Sequence, residues 1–460
     1  MKKVVIVGAG PAGLFAAYEL AGKADVTILD KGKSIEKRIC PTPGNCNKKC
    51  KGLCAVLYGE GGAGLMSDGK IIFHTEVGSN LNSIEDIGYK KNQELVDRVE
   101  EIFKLYGVEK EKETKLKLKQ IKNLEAKATK AGIRTISTKL AHVGTDKLAE
   151  LMTEFRNDLI DKGVKFITNT DVTNISNNEN NLIIHTKKED YNCDKVILAP
   201  GRVGAKWLKE IVDDLGIKYG YNPMDLGVRV EVKREVTDHI TELVRDMKFY
   251  IETPTYNDIV RTFCTCPGGK VARETHDLGF NLVNGQSEKN DPYENTNFAF
   301  LVTIPFTEPM ANGNEYSRLE AEKIKELGGD KPILQRLGDL KSGRRSKRKD
   351  LEKYLVKPSL ENVTFGDIGL ALSYRIILDL MEGFDILNRI MPGIANDNTL
   401  LYAPETKFHS IKVKNSDPYL QTNIPGIYVA GDGAGLSRGI VGAAACGVLA
   451  AEGILKDIKG

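Results

Sequence analysis

Val4-Val5-Ile6-Val7-Gly8-Ala9-Gly10-Pro11-Ala12-Gly13, continuing through an alanine-rich stretch to Ala21 and then to Val26-Thr27-Ile28-Leu29-Asp30, decides how this chain folds. Residues 4 to 7 are apolar and β-branched, 12 to 21 have helical composition, and 26 to 29 form a second short apolar run. Strand, glycine turn, helix and strand therefore follow one another within about thirty residues, the setting in which Gly-x-Gly-x-x-Gly binds a dinucleotide. Gly8 permits the tight turn, Gly10 admits a pyrophosphate to the backbone, and Gly13 lets helix and strand pack closely. The helix N-terminus, with its exposed N–H groups and dipole, holds the phosphate. Asp30 ends the second strand where a carboxylate reaches the ribose hydroxyls; the alternative is a strand-end turn residue.

Outward from this unit, the periodicity changes several times. From about Glu85 to Lys130 the chain is charged, with Leu95, Val99, Ile102 and Phe103 at helical spacing, as expected of a solvated amphipathic helix on an accessory lobe. Thr145 or Asp146 caps a helix to about Lys162 with Leu148, Leu151, Met152, Phe155 and Leu159 as its buried stripe, and Val164 to Thr168 reads as the next strand. Short alternating runs from Asp171 to Tyr191 around the turn Asn177 to Asn181 suggest an antiparallel meander. Lys195 to Ala199 is a continuous apolar strand. Strand-like stretches follow at Gly227 to Val232 and Phe298 to Ile304, then a helical stretch around Ile368 to Ile390. The last residues return to strand (Ile427 to Ala430), glycine turn (Gly431-Asp432-Gly433) and apolar helix (Ile440 to Ile454). The expected fold is α/β: a Rossmann-type nucleotide-binding domain, parallel sheet plus β-meander, from residues 1–79, 145–222 and 396–460, with an inserted α+β substrate domain from 80–144 and 223–395.

The composition is that of a globular protein, and 460 residues exceed what one core usually organises. Lys plus Arg (66) nearly balance Asp plus Glu (63), so there is no broad field to grip nucleic acid or acidic lipid. Met1-Lys2-Lys3 before an apolar run imitates a signal peptide, but Gly8, Gly10 and Gly13 break that run; no membrane span and a cytoplasmic setting are expected. In a reducing compartment the eight cysteines point to metal or redox chemistry. Cys40, Cys46, Cys50 and Cys54 fall within fifteen residues among lysines, and such thiolates can ligate an iron–sulfur cluster or a zinc ion; their spacing matches no standard pattern, and a disulfide or free thiols stay open. The six histidines show no metal-ligand spacing, and the run Gly343 to Lys349 reads as a solvated loop.

Three segments in order resemble the motifs of glutathione-reductase-related flavoproteins: the glycine fingerprint, Ala199-Pro200-Gly201-Arg202, and Ile427-Tyr428-Val429-Ala430-Gly431-Asp432. Further stretches resemble a poorly characterised family of FAD-dependent dehydrogenases: Tyr58-Gly59-Glu60-Gly61-Gly62-Ala63-Gly64-Leu65-Met66-Ser67-Asp68-Gly69-Lys70, His142 to Asp146, Phe263-Cys264-Thr265-Cys266-Pro267-Gly268-Gly269, and Gly431 to Gly435 followed by Arg438-Gly439-Ile440. The resemblance implies FAD held by Gly8, Gly10, Gly13, Asp30, Arg38, Gly62, Gly64, Ser67, Val172, Gly201, Asp432, Gly439 and Ile440, with Arg38 at the pyrophosphate or on the surface. It makes Cys264, Cys266, Arg261 and Lys70 the candidate catalytic residues, with Arg261 as an anion clamp, although Cys264 also reads as a small buried hydrophobe. A second Gly-x-Gly-x-x-Gly is missing between the nucleotide segments, so NAD(P)H is expected to act at most as a transient reductant. The resulting expectation is an FAD-dependent oxidoreductase transferring hydride between flavin N5 and a small organic substrate, with a redox partner protein as a further candidate. Alternatives are an electron-transfer flavoprotein carrying a cysteine-ligated cluster and a tRNA-modifying flavoprotein.

Overall fold

The computed structural model describes residues 1–41, 52–66, 70–79, 81–84, 87–109, 114–138, 140–143, 145–178, 181–275, 280–287, 293–306 and 309–459. The chain divides into two compact units, one of residues 1–111, 139–221 and 410–460, the other of 112–138 and 222–409.

In the first unit the apolar runs become a five-stranded parallel sheet, in the order Ile427–Val429, Lys195–Leu198, Lys3–Val7, Asp25–Leu29, Lys165–Ile167. Strands buried on both faces need side chains that are apolar on both, which is why these read as unbroken runs rather than alternations. Helix Pro11–Leu20 starts at the glycine turn with proline in its first turn, a position where the missing N–H costs nothing. It is buried almost all round: Phe15 packs on Phe103 and Phe155, ring centroids 5.0 and 5.2 Å away. Helix Thr145–Asp161 buries the expected stripe of Leu148, Leu151, Met152, Phe155 and Leu159. Strands Val172–Asn178, Asn181–Thr186 and Tyr191–Cys193 form the expected antiparallel meander. Among the described residues no helix is long and apolar enough to cross a membrane.

The second unit is built on an eight-stranded sheet in the order Thr364–Phe365, Ile333–Arg336, Leu400–Lys407, Met224–Lys233, Asn295–Ile304, Ile259–Pro267, Lys248–Glu252, Ile133–Ile136; only the first two are parallel. Alternate residues of the long strands, among them Leu226, Val228, Val230, Phe300 and Val302, join one apolar cluster. Helix Tyr374–Leu387 contributes Ile376, Leu380 and Phe384 to that cluster, Phe384 lying 4.8 Å from Phe300 between ring centroids. The opposite positions of the same strands, Asp225, Arg229, Glu231, Asn297 and Glu405, are charged or polar, yet all are buried.

The unit boundaries differ from the sequence expectation chiefly over residues 80–111, 139–144 and 396–409. Helix Tyr89–Leu105, expected on the accessory lobe, belongs to the first unit because its stripe of Leu95, Val99, Ile102 and Phe103 is buried in that core. Helix Lys115–Lys130, capped by Thr114 Oγ1 on the Lys117 N–H, belongs to the second, as does strand Ile133–Ile136. Residues 396–409, expected with the nucleotide domain, supply strand Leu400–Lys407 to the eight-stranded sheet.

Candidate functional site

At the C-terminal ends of the parallel strands the first unit holds a cavity of about 530 Å³. This is where open parallel sheets bind ligands, since the turns that leave the strand ends diverge there. The turn Gly8 to Pro11, the loop Gly59 to Gly64, the turn Ala199 to Gly204 and the segment Ala430 to Asp432 all border it. At Gly8, φ is +109°, and a Cβ there would lie 2.2 Å from the Ala199 carbonyl oxygen, so only glycine lets this turn pass the neighbouring strand end. Gly13 sits one turn into the helix, where a Cβ would lie 2.0 Å from the Gly8 carbonyl oxygen. Gly10 precedes the helix and no side chain caps it, leaving first-turn N–H groups directed at the cavity edge.

Asp30 lines the cavity and accepts from the Ala9 N–H (2.8 Å) and the Gly32 N–H (2.7 Å), so its carboxylate is fixed against the turn. Burial pushes its pKa up, opposed by those two N–H groups and by Arg38. Beside it, Lys31 pairs with Asp171 at 3.0 Å, and both line the cavity next to Val172. Arg202 and Asp432, which also line the cavity, pair at 3.1 Å. Gly62, Gly64, Gly201, Gly439 and Ile440 line the cavity too, which with Val172, Asp432, Gly8, Gly10 and Asp30 brings ten of the expected cofactor residues to a single surface.

Arg38 is placed differently. It is not among the residues lining the cavity, and its side chain donates to five carbonyls: Nε to Ala55, Nη1 to Gly59, Glu60 and Gly62, and Nη2 to Val56. A buried guanidinium satisfied in this way organises the glycine loop instead of reaching a phosphate. The loop is also fixed to the fingerprint by the Gly61 N–H on the Ala9 carbonyl (2.9 Å). Replacing Arg38 with lysine is expected to weaken cofactor binding at least about tenfold, because an ammonium has too few donors and the wrong shape for five acceptors. Cofactor titration with limited proteolysis across residues 52–62 checks this.

Trp207 escaped the sequence reading. It is the chain's only tryptophan, sits in the first turn of helix Ala205–Asp214 and lines the cavity, and its indole Nε1 is buried without a hydrogen-bond partner among the described residues. An orphaned donor at a cavity wall is the mark of a group completed by a ligand. The sequence signal was one large aromatic a few residues beyond the Gly201 turn, in a chain with no other tryptophan.

The other expected residues fall elsewhere. Ser67, Cys46 and Cys50 lie outside the described residues, as does the side chain of Lys70, whose backbone starts strand Lys70–Ile72. Cys40 and Cys54 carry no disulfide, and among the described residues no group of three or more His, Cys, Asp or Glu could hold a metal. Arg261, expected as an anion clamp, is already engaged: its Nη2 lies 2.9 Å from Asp225, and that carboxylate also accepts from Thr303 and meets His409 Nε2 at 3.1 Å. Cys264 and Cys266 lie together in the second unit at a bulge of strand Ile259–Pro267.

Residues 223–408 match the family described as FAD-dependent protein, C-terminal domain-like, and residues 6–35 match the NAD(P)-binding Rossmann-like domain. A relative from Clostridium beijerinckii, an uncharacterized protein, is 25% identical over 476 residues, spanning 98% of this chain and 80% of its own length. Among solved structures, L-proline dehydrogenase from P. horikoshii is similar over 99% of this chain and 94% of its own (TM-score 0.42, 14% identity). Glycine oxidase from Geobacillus kaustophilus is similar over 99% and 95% (TM-score 0.36, 11% identity).

The residues of the cavity fit FAD. An uncapped helix N-terminus suits its pyrophosphate, Asp30 its ribose, and the orphaned Trp207 N–H an acceptor on the adenosine half. Replacing Trp207 with phenylalanine is expected to weaken FAD binding by roughly tenfold, the worth of about one hydrogen bond to a buried donor. Equilibrium dialysis of the variant checks it.

Proposed function

We propose that this protein is an FAD-dependent oxidoreductase that transfers hydride between N5 of the flavin and a small organic substrate. The observation that supports it is one cavity lined together by Asp30, Trp207, Gly64, Gly439 and Ile440, the last of which begins helix Ile440–Lys459. When bound, FAD supplies the two-electron chemistry, which side chains alone do not provide. The protein's part is to bind and to orient. The N-terminus of helix Pro11–Leu20 carries the positive end of a dipole towards the phosphate turn, and the start of helix Ile440–Lys459 does the same where Gly439 and Ile440 line the cavity, favouring negative charge there. Asp30 and Trp207 fix the adenosine half, and Arg38 keeps the carbonyls of the glycine loop occupied so that the loop holds its shape.

In this reading a soluble donor such as NAD(P)H, or the substrate itself, reduces the flavin, and a redox partner protein is a further candidate acceptor. Anaerobic mixing of the holoprotein with NADH, with NADPH and with a panel of small amines, hydroxy acids and quinones tests it. Bleaching of the flavin by a donor, or reoxidation by an acceptor, faster than the solution reaction of free FAD is expected. A bound flavin that dithionite reduces but no member of the panel accelerates in either direction would overturn the oxidoreductase reading while leaving the cofactor site intact.

A further inference from the structure

The second unit carries a pair of cysteines whose setting is chemically unusual. Strand Ile259–Pro267 slips register against Asn295–Ile304 between Phe263 and Cys266, and at this bulge Cys264 has φ +51°, a region that cysteine rarely adopts. Arg229, fully buried, donates Nη2 to the Cys264 carbonyl at 2.7 Å and lies 3.5 Å from Cys266 Sγ. Cys266 Sγ in turn lies 3.5 Å from the Cys264 carbonyl oxygen. Neither thiol is bridged; Cys266 is buried, while Cys264 keeps part of its surface exposed.

The charges around the pair come from three neighbouring strands. Arg229 lies on Met224–Lys233, and Lys248 opens Lys248–Glu252 just after Asp246, with which it pairs at 2.5 Å. Glu405, on Leu400–Lys407, is shared between Arg229 (3.4 Å) and Lys407 (3.0 Å). Asp246 also accepts the Thr265 N–H between the two cysteines, at 2.9 Å. A hydrogen bond from the Cys266 thiol, with Arg229 and Lys248 nearby, outweighs burial and the Asp246 charge and holds the Cys264 thiol down at about 6.

We propose that Cys264 and Cys266 form a dithiol redox site, with Cys264 as nucleophile and Cys266 as resolving thiol, whose substrate class is a small organic disulfide. The Cys264 thiolate attacks one sulfur of RS–SR; a Cys264–S–S–R bond forms, the RS–SR bond breaks, and RS⁻ leaves. Cys266 then attacks Cys264 Sγ, gives up its proton, and expels the second RS⁻, which takes that proton. Both cysteines are oxidised to one disulfide while the small disulfide is reduced to two thiols. The site lies wholly within the second unit and does not rest on the flavin reading.

The test is to incubate the holoprotein with bis(2-hydroxyethyl) disulfide, quench with N-ethylmaleimide, and map the peptide containing both cysteines by mass spectrometry. Expected are an unalkylated peptide two hydrogens lighter in the native chain, a stable mixed disulfide on Cys264 in Cys266→Ala, and no adduct on Cys266 in Cys264→Ser. A second readout needs no variant: iodoacetamide labelling of Cys264 in the native holoprotein should reach half its maximal rate near pH 6, against about 8.5 for an ordinary thiol. A native peptide that stays dithiol, or a labelling midpoint near that of an ordinary thiol, overturns the proposal.

Discussion

Gly8→Ala is expected to leave the purified protein with less than about a tenth of the native flavin content, because the alanine requires both a strained backbone and a collision. The residue sits at φ +109°, outside the regions open to L-residues, and its Cβ would stand 2.2 Å from the Ala199 carbonyl oxygen. Ala199 ends the strand that pairs directly with Lys3–Val7, and its N–H is bonded to the Val7 carbonyl, so neither side of the contact can withdraw without loosening the sheet next to the cofactor cavity. Gly22→Ala is the matched control. Gly22 also has positive φ (+72°), but nothing lies within 4 Å of its added Cβ, so that change should cost only about 1 kcal/mol and keep the flavin. Flavin absorbance per chain, measured for both variants, checks this; equal flavin loss in the two would show that backbone strain, and not the approach to Ala199, sets the effect.

The second large effect is expected at Arg229→Met. Arg229 is 0% exposed and satisfies Asn297 Oδ1 twice (2.8 and 2.7 Å), the Cys264 carbonyl and Glu405. Without it Glu405, itself fully buried, keeps only Lys407 as a partner cation among the described residues, and Asn297 Oδ1 and the Cys264 carbonyl each lose the guanidinium donor. Breaking a buried pair from one side typically costs about 3–5 kcal/mol, since the remaining charge stays desolvated. Urea unfolding followed by a probe in the second unit should show a loss of that order. Adding Glu405→Leu should restore part of it, because replacing both members with apolar groups removes the uncompensated charge. A single-variant loss below about 1 kcal/mol would mean that water reaches the site.

These two sites show what the sequence made legible and what it did not. The parallel sheet was readable because strands buried on both faces are apolar nearly throughout, and Val4 to Val7, Val26 to Leu29 and Lys195 to Leu198 are so, apart from Thr27 and Lys195. The meander and the helix Thr145–Asp161 were readable for the same reason, since period two and period 3.6 leave distinct traces. Met224–Lys233 alternates cleanly, which ordinarily places one face in water; in fact Asp225, Arg229 and Glu231 are buried with partners that come from Ile259–Pro267, Asn295–Ile304 and Leu400–Lys407. Such partnerships span long separations in sequence, and no local pattern encodes them.

The division into units shows the same limit. The stripe on Tyr89–Leu105 says that the helix packs against something, and only the tertiary structure shows that its Phe103 meets Phe15 and Phe73. Gly62, Gly64, Gly201, Asp432, Gly439 and Ile440 could be placed at one cavity because motifs fix local turns. Arg38 could not, since its role depends on five carbonyls of a loop that follows it in the chain. Trp207 carries no motif of its own, and its significance appears only as a buried N–H lacking an acceptor.

The account rests on the cavity of the first unit holding FAD, and the most direct measurement titrates FAD into the cofactor-stripped protein while following the emission of the single tryptophan. Trp207 lines that cavity, so its fluorescence should fall in proportion to occupancy and saturate at one FAD per chain, ADP should compete, and FMN, which lacks the adenosine half, should bind far more weakly. Tryptophan emission unchanged by FAD, together with no retained flavin absorbance after gel filtration, would contradict the central claim.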